Sequence, residues 1–279
     1  MRQHTVKVHR FQASLFPVNA YIVEMASGTV VIDATLGVSD GRRLRAHVDA
    51  LNKPLLAVLV THVHPDHYGG LASLLESGEV PVHASAGVND AIRRDDVAKE
   101  QVLRPMFGSE WAEVRRFPDS VVRSGERVLI GDEGFRLIDL GPGESPHDSI
   151  WCRDAGGPLD AFVGDLVYSR MHAYLADGFY EAWLRNLERA RRELPADTNL
   201  FMGHGEPAAG HDSLDRQRRY IDHFLDSLRT AVERDGLQGD ALVDAVSARM
   251  QAWLDRDDLL FLLRLSVEPM RARLGLSPA

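Results

Sequence analysis

Residues 55–70 read LLAVLVTHVHPDHYGG: six aliphatic positions, then three histidines and an aspartate within six residues. The aliphatic run is too short for a spanning helix and too apolar for a surface one, so 54–60 reads as a fully buried strand. A helical spacing before it (Leu44, Val48, Leu51) and another after it, from Leu71 to Leu75, lead to VPVHA at 80–84. That is a βαβ unit with the histidines at the carboxyl end of its first strand, where open α/β sheets place their sites. In extended backbone, alternate side chains share a face, so His62 and His64 can reach one ion together. A turn into helix at Tyr68-Gly69-Gly70 would swing Asp66 and His67 toward a second position, with the glycines suiting a tight turn.

Working outward, VKVHRF (6–11), NAYIVE (19–24) and TVVID (29–33) read as strands separated by Pro, Asn and Ser-Gly punctuation. Residues 87–117 read as a charged helix broken near Pro105, with Phe107 and Trp111 outward, serving either packing or a lid. Strand signals resume at 126–130, 135–140, 149–154 and 160–165; a helix covers 181–194, and NLFMGHG (199–205) returns to strand and loop. The remainder is helical: Leu214, Ile221, Leu225 and Leu228 keep a helical period up to Gly236, and amphipathic segments follow near 240–255 and 257–274.

Composition narrows the chemistry. The 279 residues are 44% hydrophobic and 26% charged, with net charge −9. That balance suits a globular chain and disfavours nucleic acid as a partner. Cys152 is the single cysteine, so a metal here must take nitrogen and oxygen ligands. MRQHTVKVHRF lacks the apolar core of a secretory signal and no run reaches membrane-spanning length, so a cytoplasmic location without membrane attachment is expected. Imidazole with carboxylate is the ligand set of zinc, or of iron or manganese.

The H-x-H-x-D-H stretch resembles the signature of the metallo-β-lactamase fold superfamily. Three later segments resemble that family's remaining motifs in order: GPGESPHDS (141–149), FVGDLVY (162–168) and FMGHG (201–205). The resemblance implies a four-layer αββα sandwich over residues 1–210, with a C-terminal helical extension at 211–279 packed on it. It implies two divalent metal ions, zinc first and manganese or iron as alternatives. One would be held by His62 and His64, the other by Asp66, His67 and His204, with Asp165 bridging. The family's third-motif histidine is replaced by Glu144 in frame, and His147 lies three places on. Either could be the ligand; the frame favours Glu144, and Asp148 is a weaker candidate. Asp33 and Asp139 could accept from ligand histidines or merely cap strand ends.

By the same resemblance, a metal-bound hydroxide would attack a small ester, lactone or thioester, with Asp66 handling the proton. Tyr168, three residues after Asp165, resembles the tyrosine with which acyl-homoserine-lactone lactonases bond a substrate carbonyl, or it simply packs on the turn. His172, Tyr174 and Phe179 could line the mouth. The helical tail places the chain toward the lactonase and glyoxalase II side, where Arg218, Arg219 and Tyr220 could bind glutathione or lie on a solvated face. β-Lactamase activity and an iron-dependent redox role like that of persulfide dioxygenases are the alternatives. A small-molecule substrate is expected, and the apolar faces of three C-terminal helices could seat a homodimer. His9, His47, His83 and His223 read as packed or solvated residues.

Overall fold

The structure is a computed structural model that describes residues 6–75 and 79–277. Of the N-terminal stretch, residues 1–5 lie outside it. The first half runs β1 (Lys7–Gln12), β2 (Asn19–Glu24), β3 (Thr29–Ile32), α1 (Val38–Ala50), β4 (Leu55–Leu59), α2 (Pro65–Tyr68), α3 (Leu71–Leu74), β5 (Val82–Ala84), α4 (Ala86–Phe107) and β6 (Ser120–Val121). Its six strands form one sheet in sequence order, antiparallel through β3 and parallel from β3 to β6. The second half runs β7 (Arg127–Ile130), β8 (Glu133–Gly141), β9 (Asp148–Arg153), β10 (Asp160–Ser169), α5 (Tyr180–Glu193), β11 (Asn199–Gly205), β12 (Ala208–Ala209), α6 (Asp212–Arg229), α7 (Gly239–Leu254) and α8 (Leu260–Arg273). These strands form a second sheet, order β12-β11-β10-β9-β8-β7, with β10 and β11 parallel.

Period-two alternation builds the layers. Val30, Ile32, Ala57 and Leu59 of the first sheet meet Phe135, Leu137, Trp151 and Phe162 of the second in one apolar layer. The intervening Val31, Val58 and Val60 turn outward onto Leu44, Val48, Leu71, Val88 and Ile92 of the helices. In the second sheet Ile138, Ile150, Ala161 and Val163 turn outward onto α5, α6, α7 and α8. The result is the expected αββα sandwich. Leu214, Ile221, Leu225 and Leu228 of α6, Val246 and Met250 of α7 and Leu263 and Val267 of α8 share that outer core. The helical tail therefore buries its apolar period against the second sheet within the same chain. A five-residue π turn, Thr230–Arg234, closes α6 before Gly236.

Three details depart from the sequence reading. Trp111 is fully buried, donating from Nε1 to Glu100 at 2.5 Å beneath the Arg115 guanidinium, 3.8 Å from the ring centre. The helix ends at Phe107 rather than 117, and Pro105 sits in its last turn, where the chain is already leaving helical geometry. Gly69 and Gly70 are ordinary right-handed residues, not a special turn. Their missing Cβ is needed for packing: a Cβ there would stand 2.2 Å from the Leu36 carbonyl oxygen and 2.1 Å from that of Ala34.

The two sheets are latched where the histidines emerge. Trp151 Nε1 donates to the Val60 carbonyl at 3.0 Å, and Ser149 donates to that of Thr61 from its amide and hydroxyl. His62 and Asp148 form an isolated antiparallel bridge. The start of β9 is thereby fixed against the end of β4.

Candidate metal centre

Each of the four clustered histidines has its outward ring nitrogen occupied and its inward one turned to carboxylates. His67 Nδ1 donates to Asp33 Oδ2 at 2.8 Å, and Asp33 also accepts from the Thr61 amide and hydroxyl. The Thr61 hydroxyl, having donated to Asp33, accepts from His62 Nδ1 at 2.9 Å. His64 Nε2 donates to Asp177 at 3.0 Å, and His204 Nδ1 donates to the Pro17 carbonyl at 2.7 Å. In the neutral rings these bonds fix the tautomers so that His62 Nε2, His64 Nδ1, His67 Nε2 and His204 Nε2 present lone pairs inward. Asp33 thus takes the orienting role foreseen for it. Asp177 and the Pro17 carbonyl do the same work, and nothing in sequence spacing points to them: both come from loops that only the fold brings near. Replacing Asp33 with Ala is expected to weaken metal affinity about 10–100-fold, read by competitive chelator titration.

The inward atoms form two groups. Ligand atoms of His62, His64, Glu144 and Asp165 all lie within 4.8 Å of one another, as do those of Asp66, His67, Asp165 and His204. Asp165 is common to both. Its Oδ1 is 3.3 Å from His67 Nε2, and its Oδ2 is 3.1 Å from His204 Nε2 and 3.8 Å from His62 Nε2. Glu144 Oε2 lies 2.9 Å from His64 Nδ1 and 3.8 Å from His62 Nε2.

The geometry separates Glu144 from His147. Pro142 is held by Asn186, whose Nδ2 donates to its carbonyl at 2.9 Å. Asp148 accepts from the Glu144 amide at 2.6 Å and from the Ser145 amide and hydroxyl. Asp148 is therefore spent on shaping the loop, and the loop directs the Glu144 carboxylate inward, fully buried. His147 belongs to neither group: Nε2 binds Asp139 at 2.6 Å, and the ring packs on Gly87 so closely that a Cβ there would lie 1.9 Å from Cε1. Asp139 thus serves His147 and no ligand histidine. His147→Ala is expected to keep full metal content while Glu144→Ala loses about one equivalent, measured by elemental analysis after desalting.

Tyr168 lies at this junction. Its hydroxyl is 2.8 Å from Glu144 Oε1 and 2.9 Å from Asp165 Oδ2, and its ring stacks on His204 with centroids 4.9 Å apart. Tyr174 stands edge-on to His64 at the mouth. His172 is buried away from it, bonded to the Tyr220 hydroxyl and the Arg256 carbonyl, and Phe179 borders a separate surface cavity. Arg218 pairs with Glu188 and Arg219 is exposed, so that helix face is solvated. His9 bonds Glu24, His47 the Arg43 carbonyl, and His223 stacks on Trp253; these and His83 join neither group.

The side chains fit a pair of cations. Of ten buried side-chain polar atoms with no hydrogen-bond partner among the described residues, four are His62 Nε2, His67 Nε2, Glu144 Oε2 and Asp165 Oδ1. Such orphans cost on the order of 1–3 kcal/mol each unless another group satisfies them. All four belong to the two groups. The protonation balance shows the same crowding. Burial, reinforced by His67, drives His62 well below its ordinary value. Burial opposes charging of His64, but Glu144 and Asp177 lift it well above the usual range. Against the same penalty, Asp165 leads in raising His67 well above its ordinary value and His204 to about 10. Burial also opposes ionisation of Asp165, which His204 and His67 nevertheless hold well below the carboxylate range. Burial pushes Glu144 up to about 8.

The metallo-beta-lactamase superfamily description matches residues 13–204, the span that carries all of these candidate ligands. The chain belongs to that superfamily. An uncharacterised protein of Bacillus subtilis, YobT, is 29% identical over 210 residues, 70% of this chain and 86% of its own. A hydroxyacylglutathione hydrolase of Methylococcus capsulatus is 29% identical over 56% of this chain, and a human acyl-coenzyme A thioesterase, MBLAC2, 31% over 57%. The chain spans 51% and 61% of those two proteins. Among solved structures, a beta-lactamase domain protein from Burkholderia ambifaria superposes with TM-score 0.72 at 21% identity, over 98% of this chain and 87% of that one. TTHA1623 in a di-iron-bound form gives TM-score 0.61 at 25% identity, over 76% of this chain and 99% of that one. Among the described residues no helix is long and apolar enough to cross a membrane.

Proposed function

We propose that the chain is a dinuclear metal-dependent hydrolase that directs water onto the carbonyl carbon of a small ester, lactone or thioester. One observation carries this: two four-residue groups share Asp165, and four of their buried inward atoms, on His62, His67, Glu144 and Asp165, have no hydrogen-bond partner. His62, His64 and Glu144 would hold one ion and Asp66, His67 and His204 the other, with Asp165 touching both. Two such ions, when bound, supply Lewis acidity toward the carbonyl oxygen and acidify water near neutral pH. The chain's own residues supply the rest. Asp66 is kept ionised by His67 and His204 although burial opposes it, and its carboxylate takes the proton released by the attacking water. The Tyr168 hydroxyl, whose one proton goes to Glu144 or Asp165 without substrate, would turn that proton to the oxygen that gains charge. Relatives named hydroxyacylglutathione hydrolase and acyl-coenzyme A thioesterase support the reaction class.

Zinc is the first expectation for both ions. The third-motif carboxylate makes the donor set more oxygen-rich, which favours iron or manganese more than three histidines would. The di-iron form of a structural relative supports keeping iron as the second reading. Metal analysis of the purified protein, with aryl esters, acyl lactones, S-lactoylglutathione, nitrocefin and a phosphodiester assayed on the same sample, tests both. Turnover of a good substrate that survives His62→Ala would overturn the mechanism.

A further inference from the structure

The metal groups open into a cavity of about 510 Å³, floored by His64, Asp66, Asp165, Tyr168 and His204. Its walls are of another character. Helix α4 contributes Val102, Leu103 and Met106, and helix α8 contributes Phe261, Leu262 and Leu265. Val102 is 60% exposed, Met106 65%, Phe261 47% and Leu265 58%. A single exposed aliphatic side chain is ordinary, but four on two helices bordering one cavity form an apolar patch that the described residues leave uncovered. Phe16 carries the patch down to the metal groups, its ring edge-on to His204 at 5.9 Å and to Phe261 at 5.7 Å. The polar alternative is poor. Among the described residues, Lys99 is the only Lys or Arg lining the cavity; its ammonium donates to the Val63 carbonyl, and Asp95 and Asp177 line the cavity beside it. An anionic tail would meet more acid than base there.

We infer that these walls hold the unbranched aliphatic acyl chain of the substrate, extending from the metal centre along α4 and α8. The preferred substrates are then medium- to long-chain acyl esters, lactones or thioesters. The carbonyl in this statement rests on the hydrolase reading above; the aliphatic tail rests on the cavity alone.

The test uses the purified metal-loaded protein and p-nitrophenyl esters from acetate to dodecanoate. Transfer of each methylene out of water should raise kcat/KM roughly two- to fourfold until the cavity is filled. Phe261→Ser with Leu265→Ser, both at exposed positions, should lower the decanoate-to-acetate ratio of kcat/KM at least tenfold. A second readout needs no turnover: by calorimetry, decanoate should bind at least tenfold more tightly than butanoate. Hydrolysis with a flat or falling chain-length profile, and equal binding of the two acids, would overturn the tail assignment and leave the hydrolase reading standing. Tight decanoate binding with turnover of decyl sulfate but of no acyl compound would do the reverse.

Discussion

Asp165→Asn is expected to depress kcat/KM by about 10³ or more and to leave less than one equivalent of metal per chain. The two candidate ligand groups have only this residue in common, and its Oδ2 lies 3.8 Å from His62 Nε2 of one group and 3.1 Å from His204 Nε2 of the other. An amide keeps the shape but has one acceptor oxygen and no charge, so it cannot serve two cations. Losing the metal contribution to transition-state charge is worth about 4 kcal/mol, which is the stated factor. Full activity with two equivalents bound in Asp165→Asn would refute the bridging role. Because Asp165 lies on β10 and faces the cluster rather than an apolar layer, the melting temperature of the metal-free protein should move far less than the activity.

Gly203→Ala should cost nearly as much without touching a ligand. A Cβ at Gly203 would stand 2.0 Å from Asp165 Oδ1 and 2.6 Å from His67 Cε1. Both neighbours are fully buried and cannot move outward, so the methyl displaces the shared carboxylate from the cations. A misplacement of about 1 Å at a reacting centre costs about 10² in rate, and overpacking a core site costs about 1–3 kcal/mol of stability. The expected result is a roughly hundredfold loss of kcat/KM with reduced metal content and a fold that still melts cooperatively. Wild-type metal content and rate in this variant would show that β11 can yield, and that Gly203 is there for another reason.

Local physics made much of the architecture legible in the sequence. The strand NAYIVE and the closing strand NLFMGHG fall where turn punctuation and β-branched runs place them. The period of Leu214, Ile221, Leu225 and Leu228 marks the buried face of α6. Shorter pieces escaped: the two-residue strands β6 and β12 carry no pattern of their own and exist because a neighbouring strand offers hydrogen bonds. Trp111 read as exposed because its neighbours are charged, whereas Glu100 and Arg115 are the very groups that enclose it. Phe179 and His172 stood close in sequence to Tyr174, yet only Tyr174 reaches the site, since the segment after β10 curls and sends successive side chains to different surfaces.

By itself the sequence pointed to the kind of centre: one cysteine excludes a multi-thiolate site, and H-x-H-x-D-H behind a buried strand places nitrogen and oxygen donors at a sheet's carboxyl edge. Sequence spacing could not choose between Glu144 and His147, because three residues of loop can present either side chain. Tertiary structure decides what each one meets, through Asp148 binding the loop's amides and Asp139 with Gly87 engaging the His147 ring. The same holds for Asp177, Pro17 and the apolar walls of the cavity, residues from 16 to 265 gathered at one site. Their meeting depends on how the sheets and helices pack, a non-local property that no local run of residues encodes.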